Sequence, residues 1–119
     1  MKYSQCLFCQ IYRQKDPRII FDSKYFFVGP NTLSRNKGHT LIVLKRHRVD
    51  IFALNGREWK ELFSVIKRTK KYLDKKFKPD GYNIAVNCGQ AAGQTVFHTH
   101  IHLVPRYKGV KNRAVEFSI

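Results

Sequence analysis

The chain has 119 residues, 43% of them hydrophobic, and a formal net charge of +15. That length supports one compact domain with a real core and not two. No apolar run approaches the ~20 residues of a membrane span, so no membrane-spanning helix is expected, and the charge favours anionic partners: nucleotides, nucleic acid or acidic lipid surfaces. The opening segment Met1 to Cys6 lacks the apolar stretch of a secretory signal. A soluble, cytoplasmic protein is therefore expected, organised as a single domain over 1–119 with a core at about 6–107 and a basic tail over 108–119.

In chain order, Leu7 to Gln14 reads as a short helix stopped near Asp16-Pro17. Ile19 to Phe21 and Tyr25 to Val28 are apolar runs around Asp22-Ser23-Lys24, the pattern of a hairpin, with Gly29-Pro30-Asn31 breaking the second run. Thr40 to Leu44 is a further strand. Asn55-Gly56-Arg57-Glu58 has the form of a capping box. It opens a long helix in which Trp59, Leu62, Phe63, Ile66, Leu73 and Phe77 make one apolar stripe, read as core or interface, and Lys78-Pro79-Asp80-Gly81 closes it. Tyr82 to Asn87 alternates as a strand with one wet face, and Cys88 to Gln94 is a loop. The result is an α+β domain: an antiparallel sheet of about five strands, one long helix and a short N-terminal helix.

Three histidines then stand at every second position, His98, His100 and His102, before Pro105. On an extended strand such side chains share one face, spaced by roughly 6–7 Å. A row of three nitrogen bases suits a metal, a phosphate or a reacting group better than a plain core. The preceding loop, Asn87 to Thr95, holds Gly89 and Gly93. Glycines there let backbone N–H groups approach an anion, and Gln94 and Thr95 add an amide and a hydroxyl. Taken singly, Asn87 and Thr95 also read as turn residues. Of the three cysteines, Cys6 and Cys9 form a Cys-x-x-Cys, either a redox pair or half a zinc site. The odd number argues against a disulfide framework.

The segment Gly93 to Val104 resembles the signature of the histidine triad superfamily, His-φ-His-φ-His-φ-φ with φ apolar, Thr99 being a mild departure. Cys6-x-x-Cys9, Lys37-Gly38-His39-Thr40-Leu41-Ile42-Val43, Lys45-Arg46-His47 and Asn87-x-Gly89 are similar to further landmarks in the expected order. The Cys-x-x-Cys resembles the branch of small nucleoside-phosphoramidate hydrolases. The resemblance implies a hydrolase or transferase acting at the α-phosphate of a purine nucleotide or nucleotide conjugate. In it His100 is the nucleophile that forms a nucleotidyl-histidine, and His102 donates to the phosphoryl oxygens. Gln94 and Thr95 hold the phosphate and assist the leaving group, while Asn87 and Gly93 bind substrate. It further implies a structural zinc held by Cys6, Cys9, His47 and His98, and a homodimer; two reduced cysteines in an apolar cluster are the alternative to zinc. His39 is expected to act through other residues.

The family usually carries an aspartate for the ribose hydroxyls where this chain has Asn31, with Ser34 in place of a proline and Leu44 in place of another. Phe8, Ile11, Phe27 and Leu41 are the candidates for an apolar wall against the base. Two other functions fit the same residues: a non-catalytic, zinc-stabilised nucleotide-binding module, and an enzyme removing 5′-adenylate from nucleic-acid ends, which the positive charge would suit.

Overall fold

A computed structural model describes residues 5–110. Most of the segment read as a basic tail, from position 111 onward, lies outside the described residues, as do positions 1–4. In chain order the elements are α1 (Leu7–Arg13), β1 (Phe21–Asp22), β2 (Phe26–Pro30), β3 (Thr40–Leu44), α2 (Gly56–Phe77), β4 (Gly81–Ala85) and β5 (His100–Arg106). The five strands form one antiparallel sheet in the order β1-β2-β3-β5-β4. This is the α+β architecture expected.

Alternation along the strands divides the apolar residues between two faces. Phe26, Val28, Ile42, Leu44 and Ile101 pack with Leu62 and Val65 of α2 on one side. Phe27, Leu41 and Val43 pack with Cys6, Phe8 and Cys9, in and just before α1, on the other. In the β3–β5 register Val43 faces His100 and Leu41 faces His102. These two histidines therefore belong to the α1 face.

The α2 N-terminus is the predicted capping box: Glu58 N–H donates to Asn55 Oδ1 and Asn55 N–H to Glu58 Oε1, both at 2.9 Å. The predicted apolar stripe divides. The buried line is Glu58, Leu62, Val65, Thr69 and Leu73, and Thr69 is tolerated in it because its hydroxyl donates to the Val65 carbonyl. Trp59 and Phe63 are 47% and 63% exposed. At roughly 100° per residue they sit well off the centre of the buried line, so they form a separate outward face.

Four boundaries differ from those expected. β1 is Phe21–Asp22, not Ile19 to Phe21, so Asp22 belongs to the strand instead of the turn. β2 continues through Gly29 and Pro30, which pair with Leu41 and Thr40. β1 pairs only as far as Val28, so the missing Pro30 N–H removes no ladder bond. β4 ends at Ala85, and its Ile84 is 57% exposed on the edge strand. β5 begins at His100, so His98 is not part of the strand. The chain bends there because His98 N–H turns back to the Val96 carbonyl, and Thr99 gives both its N–H and its hydroxyl to the Arg48 carbonyl.

Candidate active site and metal centre

The three histidines are all buried, His98 and His102 completely and His100 to within 2%, yet each is held differently. His100 donates Nδ1–H to the His98 carbonyl at 2.6 Å. A ring with its Nδ1 proton so placed carries its lone pair on Nε2. Phe8 of α1 lies edge-on over His100, with ring centroids 5.0 Å apart. The His102 ring is 5.2 Å from that of His100, a closer approach than strand spacing alone predicts, because the rings tilt toward one another.

His102 meets His39, whose Nε2 lies 2.8 Å from His102 Nδ1, and His39 Nδ1 in turn lies 2.6 Å from the Ser34 hydroxyl. If the serine donates to His39, then His39 Nε2–H donates to His102 Nδ1. In that arrangement the His102 proton sits on Nε2. His39 is positioned by the turn at Gly38, where φ is +81° and a Cβ would meet Phe77 and Pro105 at 3.0 Å; only glycine fits. Burial, with Arg106 nearby, holds His39 down at about 4, so it is neutral at neutral pH.

His98 serves a different centre. Its Nε2–H donates to the Leu44 carbonyl at 2.5 Å, which leaves Nδ1 as the ligand atom. That atom lies 3.2 Å from Cys6 Sγ, 3.5 Å from Cys9 Sγ and 3.1 Å from His47 Nδ1. His47 Nδ1 is 3.4 Å from Cys9 Sγ. All four ligand atoms fall within 4.8 Å of one another. Metal–ligand bonds of about 2.0–2.3 Å in a tetrahedron put ligand atoms about 3.3–3.8 Å apart, so the cluster fits a metal ion. Burial also lowers His98 to about 4, which keeps its imidazole in the form that can ligate. Leu44 contributes twice. Its carbonyl orients His98, and its N–H donates to the Thr99 carbonyl at 3.1 Å; the proline usual in the family could not donate that bond.

The loop before β5 is a 3-10 turn over Gln90–Ala92 flanked by Gly89 and Gly93 at φ +92° and +95°. Its N–H groups were expected to face an anion. Instead Gly89 N–H donates to Gln94 Oε1, Gly93 N–H to the Gln90 carbonyl, and Ala92 and Gln94 N–H to the Gly89 carbonyl. The Gln94 amide is buried and donates to the Val49 and Val96 carbonyls. Gln94 therefore shapes the loop from inside. Thr95 is exposed, and Asn87 is half-buried with its amide close to Gly93.

An apolar cavity lies beside the histidines on the α1 face. Phe8, Ile11, Phe27 and Leu41 all line it, as the sequence suggested, together with Val43 and Asn31. Leu41 and Val43 are the register partners of His102 and His100, so the β3 wall of the cavity is next to the histidine strand. Asn31 is buried and its Oδ1 accepts from Leu33 N–H at 3.1 Å. Sequence reasoning missed Asp16 and Arg18, which also line the cavity. It also missed the Arg46–Glu58 pair, in which Glu58, 1% exposed, accepts from Arg46 Nε at 2.5 Å. Neither feature carries a local signal, since the cavity and the pair depend on long-range placement.

The chain matches the HIT domain over residues 12–109; it belongs to the HIT family. It is 37% identical over 105 residues to a HIT-like protein of Methanocaldococcus jannaschii, covering 87% of this chain and 81% of that protein. The adenylylsulfatase HINT3 of Arabidopsis thaliana is 31% identical over 104 residues, 87% of this chain and 53% of that protein. Among solved structures, a zinc-bound histidine triad family protein from Mycobacterium smegmatis superposes with a TM-score of 0.83 at 33% identity, covering 98% of this chain and 84% of that one.

Proposed function

We propose that the protein is a nucleotidyl hydrolase or transferase acting at the α-phosphate of nucleoside phosphoramidates or related nucleotide conjugates. The observation that carries this reading is the hydrogen bond from His100 Nδ1 to the His98 carbonyl, which directs reactivity to Nε2. Nε2 attacks the α-phosphorus, and the bond from phosphorus to the leaving nitrogen or oxygen breaks. The leaving group departs with the bonding pair and takes up a proton from solvent, which the attacking water of the second step returns. Water then attacks the nucleotidyl-histidine, releasing the nucleoside monophosphate and restoring His100, so one hard displacement becomes two easier ones. His102 donates from Nε2 to the phosphoryl oxygens as charge develops on them. Thr95 and Asn87 bind the phosphate and leaving group, and Gln94 and Gly93 act by setting the loop that carries them. The base lies on Phe8, Ile11, Phe27 and Leu41, with Asn31 at the sugar hydroxyls. The activity in the name of the Arabidopsis relative, cleavage at an adenylyl group, belongs to the same reaction class.

The Cys6, Cys9, His47 and His98 cluster is read as a structural zinc site; four protein ligands leave no open position. Zinc there would supply rigidity to the entrance of β5. The exposed Trp59 and Phe63 on α2 and Ile84 on the edge strand β4 are the surface on which a homodimer would form. The test of function is turnover of adenosine 5′-phosphoramidate. The wild type is expected to release AMP, and His100→Ala to lose at least about 10³ of the rate. Wild-type binding of AMP with no turnover would instead favour the non-catalytic module.

A further inference from the structure

We propose that the basic groove beside Asn31 takes a phosphate carried on the ribose itself, at the 2′ or 3′ oxygen of the bound nucleotide. The inference rests on the reading of the apolar cavity as the nucleoside site. The groove, about 660 Å³, lies between the 31–39 loop and the last turns of α2. Arg18, Ile19, Pro30, Asn31 and Thr32 line both it and the apolar cavity. The two therefore join at the residue assigned to the sugar hydroxyls.

The charge of the groove is one-sided. Arg18, Arg35, Lys37 and Lys76 line it, and none of its described lining residues is acidic. Arg18 is paired with Asp16 at 2.7 Å on the cavity side, so its charge is offset there and the net charge of the groove comes from Arg35, Lys37 and Lys76. The ammonium groups of Lys37 and Lys76 lie over the rings of Tyr107 and Tyr72, each 5.6 Å from the centroid, and Lys76 also donates to the Tyr72 hydroxyl at 3.2 Å; these contacts hold the two cations at the groove wall without neutralising them. A carboxylate at position 31 accepts from two hydroxyls but repels a phosphate ester on either oxygen. The amide of Asn31 carries no charge and does not repel a phosphate ester. A neutral residue at the junction and a run of cations just beyond it suit the same ligand: a nucleotide with a second phosphate on its sugar. A plain nucleoside 5′-conjugate leaves the groove without an anion.

Calorimetric binding of AMP, adenosine 2′,5′-bisphosphate and adenosine 3′,5′-bisphosphate tests this with the full chain. One bisphosphate is expected to bind about tenfold tighter than AMP at low ionic strength, the worth of one charge-assisted hydrogen bond. Added salt should shrink the preference, and the better isomer identifies the phosphorylated oxygen. The double variant Arg35→Glu/Lys37→Glu should lose the preference while keeping the AMP affinity and the melting temperature. Asn31→Asp should weaken the bisphosphate more than AMP. Equal affinities for all three nucleotides, or a preference that survives in the double variant, overturn the inference and leave the nucleoside site standing. If none of the three binds, the nucleoside reading itself falls and takes this inference with it.

Discussion

Ser34 stands two hydrogen bonds away from His102, and its Oγ already accepts from Asn36 N–H at 3.0 Å, which favours its own proton going to His39 and biases where the His102 proton resides. With the serine donating, His39 is the Nε2–H tautomer and His102 keeps its donor on Nε2. Without it, His39 is free to adopt the other tautomer, which would turn His102 into an acceptor toward substrate. Ser34 is a positioning residue in this account. Ser34→Ala is expected to lower kcat about tenfold, the worth of one hydrogen bond of ~1.4 kcal/mol, with KM little changed. Nitrogen NMR shifts of His102 should move toward the Nδ1–H form, and Ser34→Thr should restore both. An alanine variant with wild-type kcat and an unchanged His102 signal would remove the relay from the mechanism. The sequence made the three histidines legible because strand periodicity is two and every second residue shares a face. It could not reveal that His98 leaves the strand, since the bend is fixed by Thr99 reaching Arg48, 51 positions away.

At the scale of elements, α2 is anchored to the segment that carries His47. Arg46 reaches Glu58 in a bidentate pair and also donates to the Ala53 carbonyl. The Arg46 guanidinium is the main cause holding the Glu58 carboxyl below its usual range. Glu58→Gln, which keeps the shape and removes the charge, should cost about 2–3 kcal/mol of stability, in the range for breaking a partly buried pair. Urea unfolding measures it, and a midpoint unchanged at neutral pH would show the pair to be idle. The helix itself was readable from its cap and its periodicity. Its phase was not: Trp59 and Phe63 are apolar by type, and only the position of the sheet decides that Leu62, Val65 and Leu73 turn inward instead.

For the whole molecule, the sheet keeps two kinds of core apart. The α2 face is hydrocarbon and gives the fold its bulk, whereas the α1 face holds the histidines, the thiols and the cavity. The metal ligands come from the start of α1, the segment after β3 and the entrance of β5, so a bound zinc ties together parts distant in sequence. Such pairing was invisible to local pattern, although the ligand types were plain. Stripping zinc with a chelator should lower the melting temperature clearly and leave α2 helical; no shift on removal of a stoichiometric metal would contradict the assignment. The metal-free protein should also weaken in acid. His39 has its ordinary value of 6.5 when unfolded and about 4 when folded, so the unfolded chain binds the proton more readily. Its contribution to stability is full above pH 6.5 and is lost as the pH falls toward 4.

Mass spectrometry of protein mixed with adenosine 5′-phosphoramidate and quenched in alkali within the first turnovers reads the reacting atom itself. An adenylyl group on the peptide containing His100, absent from His100→Ala and disappearing as AMP accumulates, is the predicted result. Steady AMP release with that peptide unmodified at every time point, or release that persists in His100→Ala, would contradict it.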